Sequence, residues 1–303
     1  MFKLSVRDIS HKYEKTQDFG LISLTPEQIK HVQEITFEIY KDILAVCKKH
    51  GLHVSLSGGS ALGAVRHQGF IPWDDDIDIM MPRDDFNQFM HIFDKTLGDK
   101  YYMACPNAKY SSQYNCIVKV ISKDTFCSDL FEKQKLFHQG LCVDILPIDY
   151  VPDNKILYVI KGLISILLLF IINSNMMYLC ETKLSKRIFT QTFLSSCYYY
   201  FRIFIGFITR VVAYPQWCLW FNQWITNKKK TKRVSIPSGR NHYFKETHPA
   251  TVFYPFKEIQ FEDIISYVPN NAPAYLKALY GKNFMKIPPE DKRERHLCSK
   301  LVI

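Results

Sequence analysis

The sequence predicts a mixed α/β (α+β) fold interrupted by a basic, aromatic-rich helical insert, and three observations carry that prediction. Helix-period and strand-period apolar patterns alternate through residues 25–150. The composition is that of a globular chain: 303 residues with 47% apolar, 15% aromatic and 22% charged side chains can bury a core without disulfides or a structural metal. Charge is spread unevenly, because residues 154–245 hold fourteen Lys and Arg against one acid, Glu181. The whole chain carries 39 − 29 = +10, so the remainder carries 25 − 28 = −3. These shifts divide the chain into a core at 1–153, an insert at 154–245 and a segment at 246–303 that completes the core.

The first helix starts at Thr25, where Thr25-Pro26-Glu27-Gln28 forms a capping box with Pro at the first helical position. Ile29, Val32, Thr36, Ile39, Ile43, Val46 and Cys47 follow at helical spacing, and Gly51 ends the helix after Lys48 and Lys49. The run 53–56 is apolar and meets a Ser57-Gly58-Gly59-Ser60 turn, after which Ser60 is expected to open a short helix to Arg66. A strand over 76–80 is entered through Trp73-Asp74-Asp75 and closed by Pro82. Phe86, Phe89, Met90 and Phe93 mark the next helix, and 116–121 and 141–146 read as further strands.

Nine cysteines with no Cys-x-x-Cys pair suit reduced thiols better than a zinc ribbon or a disulfide framework. Residues 1–17 hold no apolar run of the kind a secretory signal needs, so a cytoplasmic protein is expected.

The strand at 76–80 alternates acid and apolar residues. Asp74, Asp76 and Asp78 therefore share one face, while Asp75, Ile77 and Ile79 share the other. Carboxylates crowded on one face repel unless a cation or protons balance them, and hard oxygen donors with no nearby His or Cys select Mg²⁺ or Mn²⁺. A calcium loop starting at Asp74 would need Gly at its sixth position and Glu at its twelfth, where Ile79 and Asp85 stand. A solvated acidic turn remains the plainer alternative, but it does not require the interleaved isoleucines. Gly58 and Gly59 allow backbone N–H groups close approach to an anion, and a helix opening at Ser60 favours phosphate. Asp144, flanked by Val143 and Ile145, is a third acid in the same setting.

The stretch 58–78, from Gly58-Gly59-Ser60 through Arg66-His67 to Trp73-Asp74-Asp75-Asp76-Ile77-Asp78, resembles the signature of the LicD family. That family includes bacterial phosphocholine transferases and is related to fukutin-type ribitol-phosphate transferases. Segments 140–149 and 280–289, with Arg293 and His296 beyond, extend the resemblance over about 26–152 and 253–296. The resemblance implies a nucleotidyltransferase-like mixed sheet with flanking helices. It places Asp76, Asp78 and Asp144 on the metals, with Asp74 an added ligand or a support for the others. Two departures, Ser60-Ala61 where Thr and a larger apolar residue are usual and Cys142 where an aromatic is common, bear on substrate fit and remove no carboxylate.

Several cations have two readings each. Arg66 suits a pyrophosphate oxygen or a helix C-terminal charge, and His67 reads as structural. Lys119 suits a phosphate, an acid of the cluster, or solvent. Arg293 and His296 sit in a charged tail whose default is a solvated face, and the resemblance makes them substrate contacts.

In the insert, residues 156–172 are apolar, but Lys161 and Gly162 interrupt them, and 163–172 alone is too short to span a bilayer. Trp217, Trp220 and Trp224 precede Lys228, Lys229, Lys230, Lys232 and Arg233, a pattern suited to the headgroups of an anionic membrane, or to a buried second lobe. Peripheral contact at the inner face of the cytoplasmic membrane is the expectation. Nucleic acid is disfavoured as the partner, since no helix-turn-helix, RRM or zinc-finger signature is present.

Three functions follow. The first is a Mg²⁺-dependent phosphotransferase moving phosphocholine or ribitol phosphate from a CDP-linked donor to a cell-surface glycan or lipid-linked precursor, with release of CMP. The second is a nucleotidyltransferase using the same aspartates. The third is a non-catalytic membrane adaptor.

Overall fold

The computed structural model describes residues 24–107, 109–111, 113–128, 138–290, 293 and 300–303. Helix α1 (Pro26–His50) forms where the capping box predicts it. The Thr25 hydroxyl accepts from the Gln28 N–H, Gln28 answers at the Thr25 N–H, and Gly51 ends the helix at φ 66°. Strand β1 (Ser55–Leu56) leads into α2 (Gly58–His67), and β2 (Ile77–Pro82) runs directly into α3 (Arg83–Thr96). Strands β3 (Tyr101–Cys105), β4 (Gln113–Tyr114), β5 (Val118–Ser122), β6 (Phe126–Ser128) and β7 (Cys142–Tyr150) follow. The insert supplies α4 (Lys155–Leu179), α5 (Lys183–Phe189), α6 (Phe193–Thr209) and α7 (Tyr214–Ile225). Strand β8 (Arg233–Ser235), α8 (His242–Lys245), β9 (His248–Pro249), α9 (Ala250–Phe253), β10 (Lys257–Phe261), β11 (Ile264–Val268), α10 (Ala272–Tyr280) and β12 (Lys300–Val302) complete the chain.

The main sheet runs β1-β2-β7-β5-β3-β4, with β2 parallel to β7 and β5 antiparallel to it, giving the mixed sheet of an α+β fold. Helices α1 and α3 are amphipathic: Ile39, Ile43, Phe86, Phe89 and Phe93 join Ile77, Ile79, Val118, Val120, Val143 and Ile145 in one buried core. The insert leaves at the end of β7 and returns in β8, which pairs with β7 at Asp149↔Ser235 and Tyr150↔Val234. Because both ends of the insert are neighbouring strands, the excursion leaves the core's register undisturbed.

Four local expectations are corrected. The short helix opens at Gly58, two residues before Ser60, with Ser57 as its extended N-cap. Strand β2 begins at Ile77, one residue after Asp76, and continues to Pro82. The strand expected over 141–146 extends to Tyr150, because the apolar run continues into Ile148 and the Asp149-Tyr150 pair meets β8. Lys161 and Gly162 do not interrupt α4: the Lys161 ammonium donates to the Thr226 carbonyl, and Gly162 packs so closely that a Cβ would sit 2.4 Å from the Phe244 ring. The result is a single helix of 25 residues, long and apolar enough to cross a membrane by length and composition.

The insert has its own small core, where Leu169 and Ile172 of α4 meet Tyr214, Cys218, Phe221 and Ile225 of α7, with Cys116 contributed by the main body. One buried ion pair ties it down. Arg83, at the start of α3, donates from Nε and Nη2 to the Asp149 carboxylate at 2.7 and 2.5 Å, and from Nη1 to Asn222 Oδ1 on α7 at 2.7 Å.

Candidate active site

The register of the sheet builds the site. Asp78 of β2 lies opposite Asp144 of β7, and Lys119 of β5 lies opposite Asp144 on the other side, so the three side chains form one transverse row. Apolar Ile77, Ile79, Val143 and Ile145 alternate with these acids and point into the core, which fixes the acids on the opposite face. The row opens onto a cavity of about 530 Å³ lined by Asp74, Asp76, Asp78 and Asp144 together with Gly58, Gly59 and Arg66. Asp75 is not among the lining residues.

The Gly-Gly turn is held against the acid strand from both sides. The Ser57 N–H donates to the Asp78 carbonyl at 2.9 Å, and the Asp78 N–H donates to the Ser60 hydroxyl at 2.9 Å. Ser60 is thus a buried clamp between α2 and β2 and does not line the cavity. Gly58 has φ 49°, a conformation L side chains rarely adopt, and a Cβ there would sit 3.5 Å from Asp78 Oδ2. A Cβ on Gly59 would sit 2.9 Å from Asp74 Oδ2, so Gly59 leaves room for that carboxylate while Gly58 supplies the left-handed turn. The Gly58 N–H donates to the Tyr275 hydroxyl at 3.2 Å and is therefore partly committed within the protein.

Lys119 touches both oxygens of Asp144 at 3.0 Å, with Cys142 beside them, so it reaches the acid cluster. Arg66 lines the cavity, but its Nη1 donates to the Phe284 and Lys286 carbonyls at 3.0 and 3.4 Å, pinning the C-terminal segment over the site. Its Nε donates to His67 Nε2 at 2.9 Å, which gives His67 its structural role. Arg293 stacks on Trp73 with 4.4 Å from guanidinium carbon to ring centroid and does not itself line the cavity. His296 lies outside the described residues.

Sequence reasoning missed the far wall. Arg240, Glu246, Tyr275, Tyr280 and Lys286 all line the cavity, contributed by the return from the insert and by the segment around α10. Glu246 is 2% exposed; burial pushes its carboxyl up to about 7, against the opposing pull of the Asn241 N–H and Arg240. Burial likewise raises the Tyr275 and Tyr280 phenols above their ordinary value. The signal available was weak, since Glu246 merely ends the acid-poor stretch and nothing local marks it as a wall residue.

The donor set tests whether a metal fits. Four carboxylates on one wall, two of them register neighbours on strands about 4.8 Å apart, are hard oxygen donors of the kind Mg²⁺ and Mn²⁺ take. Among the described residues no three His, Cys, Asp or Glu side chains converge into a ready metal shell, and Asp144 is paired with Lys119 instead. The acids fit a divalent ion in their chemistry, with Lys119 as the protein's own partial counter-charge.

Comparison with known proteins points the same way. The family model described as LicD/FKTN/FKRP, nucleotidyltransferase domain, matches residues 51–157. The lipopolysaccharide cholinephosphotransferase LicD of Haemophilus influenzae is 30% identical over 131 residues, 43% of this chain and 48% of that protein. An uncharacterized protein of Rickettsia typhi is 32% identical over 41% of this chain and 37% of its own length, and one of Rickettsia prowazekii is 27% identical over 48% and 52%. The chain thus spans about half the length, or less, of the curated relatives it matches. The matched segment contains the Gly-Gly turn, all four cavity aspartates and Lys119. Through residues 51–157, the chain is similar to the LicD/FKTN/FKRP family.

Proposed function

We propose that this cavity transfers an alcohol phosphate from a CDP-linked donor to a hydroxyl of a glycan or lipid-linked glycan, with Mg²⁺ or Mn²⁺ held by Asp76, Asp78 and Asp144. The observation that carries the reading is the lateral row in which Asp78 and Asp144 face one cavity beside the Gly58-Gly59 turn. The printed name of the Haemophilus relative, a cholinephosphotransferase acting on lipopolysaccharide, supports the reaction class and the acceptor class. In the transfer, the acceptor oxygen forms a bond to the phosphorus distal to cytidine, the bond from that phosphorus to the bridging oxygen breaks, CMP leaves, and the acceptor hydroxyl loses its proton.

A bound divalent ion supplies charge neutralisation at the pyrophosphate and lowers the pKa of the attacking hydroxyl. The chain's own groups do the rest. Arg66, Arg240 and Lys286, which line the same cavity as the acids, offer cations to the donor's phosphates. Lys119 keeps Asp144 from being repelled by Asp78 before substrate arrives. Glu246, with its pKa near 7, can exchange a proton at neutral pH inside the same cavity. Arg66 also holds the 284–286 backbone beside the cavity that Phe284 and Lys286 line.

A second reading of the cargo rests on the aromatics. Quaternary ammonium groups bind open aromatic faces, but Trp73 carries Arg293 at 4.4 Å and Tyr280 carries Arg240 at 5.8 Å. Those contacts make a polyol phosphate such as ribitol phosphate the alternative cargo to phosphocholine, which the name of the Haemophilus relative supports. The experiment is to incubate the purified chain with Mg²⁺ and either CDP-choline or CDP-ribitol, and to follow CMP release with and without a glycan acceptor. CMP from either donor supports the transferase reading, and the preferred donor identifies the cargo. Pyrophosphate released from a nucleoside triphosphate, with no CMP from either donor, replaces it with nucleotidyl transfer.

A further inference from the structure

We propose that the insert embeds an apolar face in a lipid bilayer, so that hydrophobic burial holds the protein at a membrane and the neighbouring lysines add attraction to anionic headgroups. On α4, Ile156, Leu157, Ile160, Leu163 and Leu167 are exposed, Ile156 by 71%, and recur every three or four residues as one stripe. On α6, Phe193, Phe201, Phe204, Ile208 and Val211 form a second stripe, with Phe193 86% and Val211, just past the helix end, 88% exposed. Scattered exposed leucines are ordinary, but two contiguous stripes of this size are not.

The stripes are the outer faces of an assembled unit. Helix α7 covers α4 through Leu169, Ile172, Phe221 and Ile225. Helix α6 approaches α4 so closely at Gly206 that a Cβ would lie 2.3 Å from the Ser174 carbonyl oxygen. Even with these partners in place, only 22% of the most apolar window of α4 is buried, whereas a core helix of mean hydropathy 2.4 in a water-soluble body is mostly covered.

Three observations select lipid as the occupant. The insert has almost no acids, and its Glu181 accepts a hydrogen bond from Tyr199, so the surface complements an anionic layer. Exposed Trp220 and Trp224 lie on α7, and the Trp224 indole donates to the Lys161 carbonyl of α4, an amphipathic pairing suited to the headgroup level. The exposed lysines Lys228, Lys229, Lys230 and Lys232 stand where the α4 stripe begins. The Lys232 N–H donates to Asp153, and Arg233 donates to the Pro152 carbonyl while its guanidinium lies 4.3 Å from the Tyr158 ring centroid. Charge therefore flanks the apolar face at one end, as in proteins anchored in the interface.

This surface connects to the cavity. Tyr243 and Phe244 of α8 pack on α4 at Gly162, and Glu246 of the cavity wall follows α8 directly. One short helix thus separates the membrane-facing stripe from the cavity wall that holds Glu246. Delivery of a lipid-linked acceptor rests on the transferase reading, whereas the membrane assignment does not.

The test is flotation of the full chain with vesicles of phosphatidylcholine alone and of phosphatidylcholine with phosphatidylglycerol, followed by high-salt and alkaline carbonate washes. The wild type is expected to float with both and to resist both washes. Leu157→Ser combined with Leu163→Ser and Leu167→Ser is expected to reduce bound protein about tenfold while its thermal transition stays that of the wild type. Lys228→Gln with Lys229→Gln, Lys230→Gln and Lys232→Gln is expected to lower binding a few-fold on anionic vesicles only. Release of the wild type by salt alone overturns hydrophobic embedding. A detergent-free wild-type dimer that ignores vesicles assigns the stripes to a second copy and overturns the proposal. Unfolding of the triple serine variant overturns it too, because the stripes would then be core. CMP release from a soluble donor, measured on the same variants, reports separately on the transferase reading.

Discussion

Replacing Asp149 with Asn tests whether the buried Arg83–Asp149 pair of the core holds the guanidinium that reaches the insert at Asn222. Asp149 is 0% exposed and Arg83 6%, and the carboxylate meets two guanidinium nitrogens at 2.7 and 2.5 Å while the third reaches Asn222 of α7. Asn preserves shape but leaves a buried guanidinium against a neutral amide. Removing one partner of such a pair costs about 3–5 kcal/mol, because the remaining charge stays desolvated. For a chain of this length, about 2 °C per kcal/mol gives a fall in Tm of roughly 6–10 °C. Asn222→Ala loses one charge-assisted hydrogen bond, about 1.5–3 kcal/mol. Arg83→Met combined with Asp149→Leu removes both charges and is expected to recover most of the loss. Urea and thermal unfolding measure the three variants, and limited proteolysis at 226–232 reports loosening of the insert. A loss below about 1 kcal/mol for Asp149→Asn, or a double variant no more stable than Asp149→Asn, contradicts this role of the pair.

Two glycines with different neighbours should fail differently. A Cβ on Gly63 would lie 2.4 Å from the Gly69 carbonyl oxygen, which is backbone and cannot yield cheaply, so Gly63→Ala is expected to cost about 1–3 kcal/mol in urea unfolding. Gly59→Ala meets the Asp74 carboxylate instead, so stability should change little while turnover at limiting Mg²⁺ falls about tenfold. Glu246 sets a pH dependence: its carboxyl ionises near 4.5 when unfolded and at about 7 when folded, so the unfolded chain releases the proton first and stability declines as pH rises from about 4.5 to 7. The decline is about 3 kcal/mol, and Glu246→Gln should abolish it; equal losses between pH 5 and pH 8 in both proteins would contradict the assignment.

The near wall of the cavity was legible in the sequence because its determinants are local. Strand alternation alone separates Asp76 and Asp78 from Asp75, and Val143-Asp144-Ile145 repeats the same pattern. The capping box and Gly51 fixed both ends of α1 for the same reason. Lys119 was read as a residue that could reach the acids, but its pairing with Asp144 depends on β5 lying antiparallel to β7, which no local signal specifies. The far wall was not legible: Tyr275 and Glu246 arrive from segments separated from Gly58 by the whole insert. Arg66 showed the limit most directly, since its partners are backbone carbonyls more than two hundred residues away and backbone atoms carry no sequence signature. The apolar stretch at 156–172 reads as too interrupted to span a bilayer when Lys161 and Gly162 are counted without their neighbours. Thr226 takes the Lys161 charge and Phe244 fills the gap at Gly162.

The proposed transfer requires Asp76, Asp78 and Asp144 together to hold a divalent cation. Mn²⁺ titration followed by electron paramagnetic resonance tests it without any substrate, on the wild type and on Asp76→Asn, Asp78→Asn, Asp144→Asn and Asp75→Asn. The wild type and Asp75→Asn are expected to bind Mn²⁺ alike, since Asp75 does not line the cavity, while each of the other three loses at least about tenfold in affinity. Wild-type affinity in Asp78→Asn or Asp144→Asn, or loss of binding in Asp75→Asn, would contradict the claim.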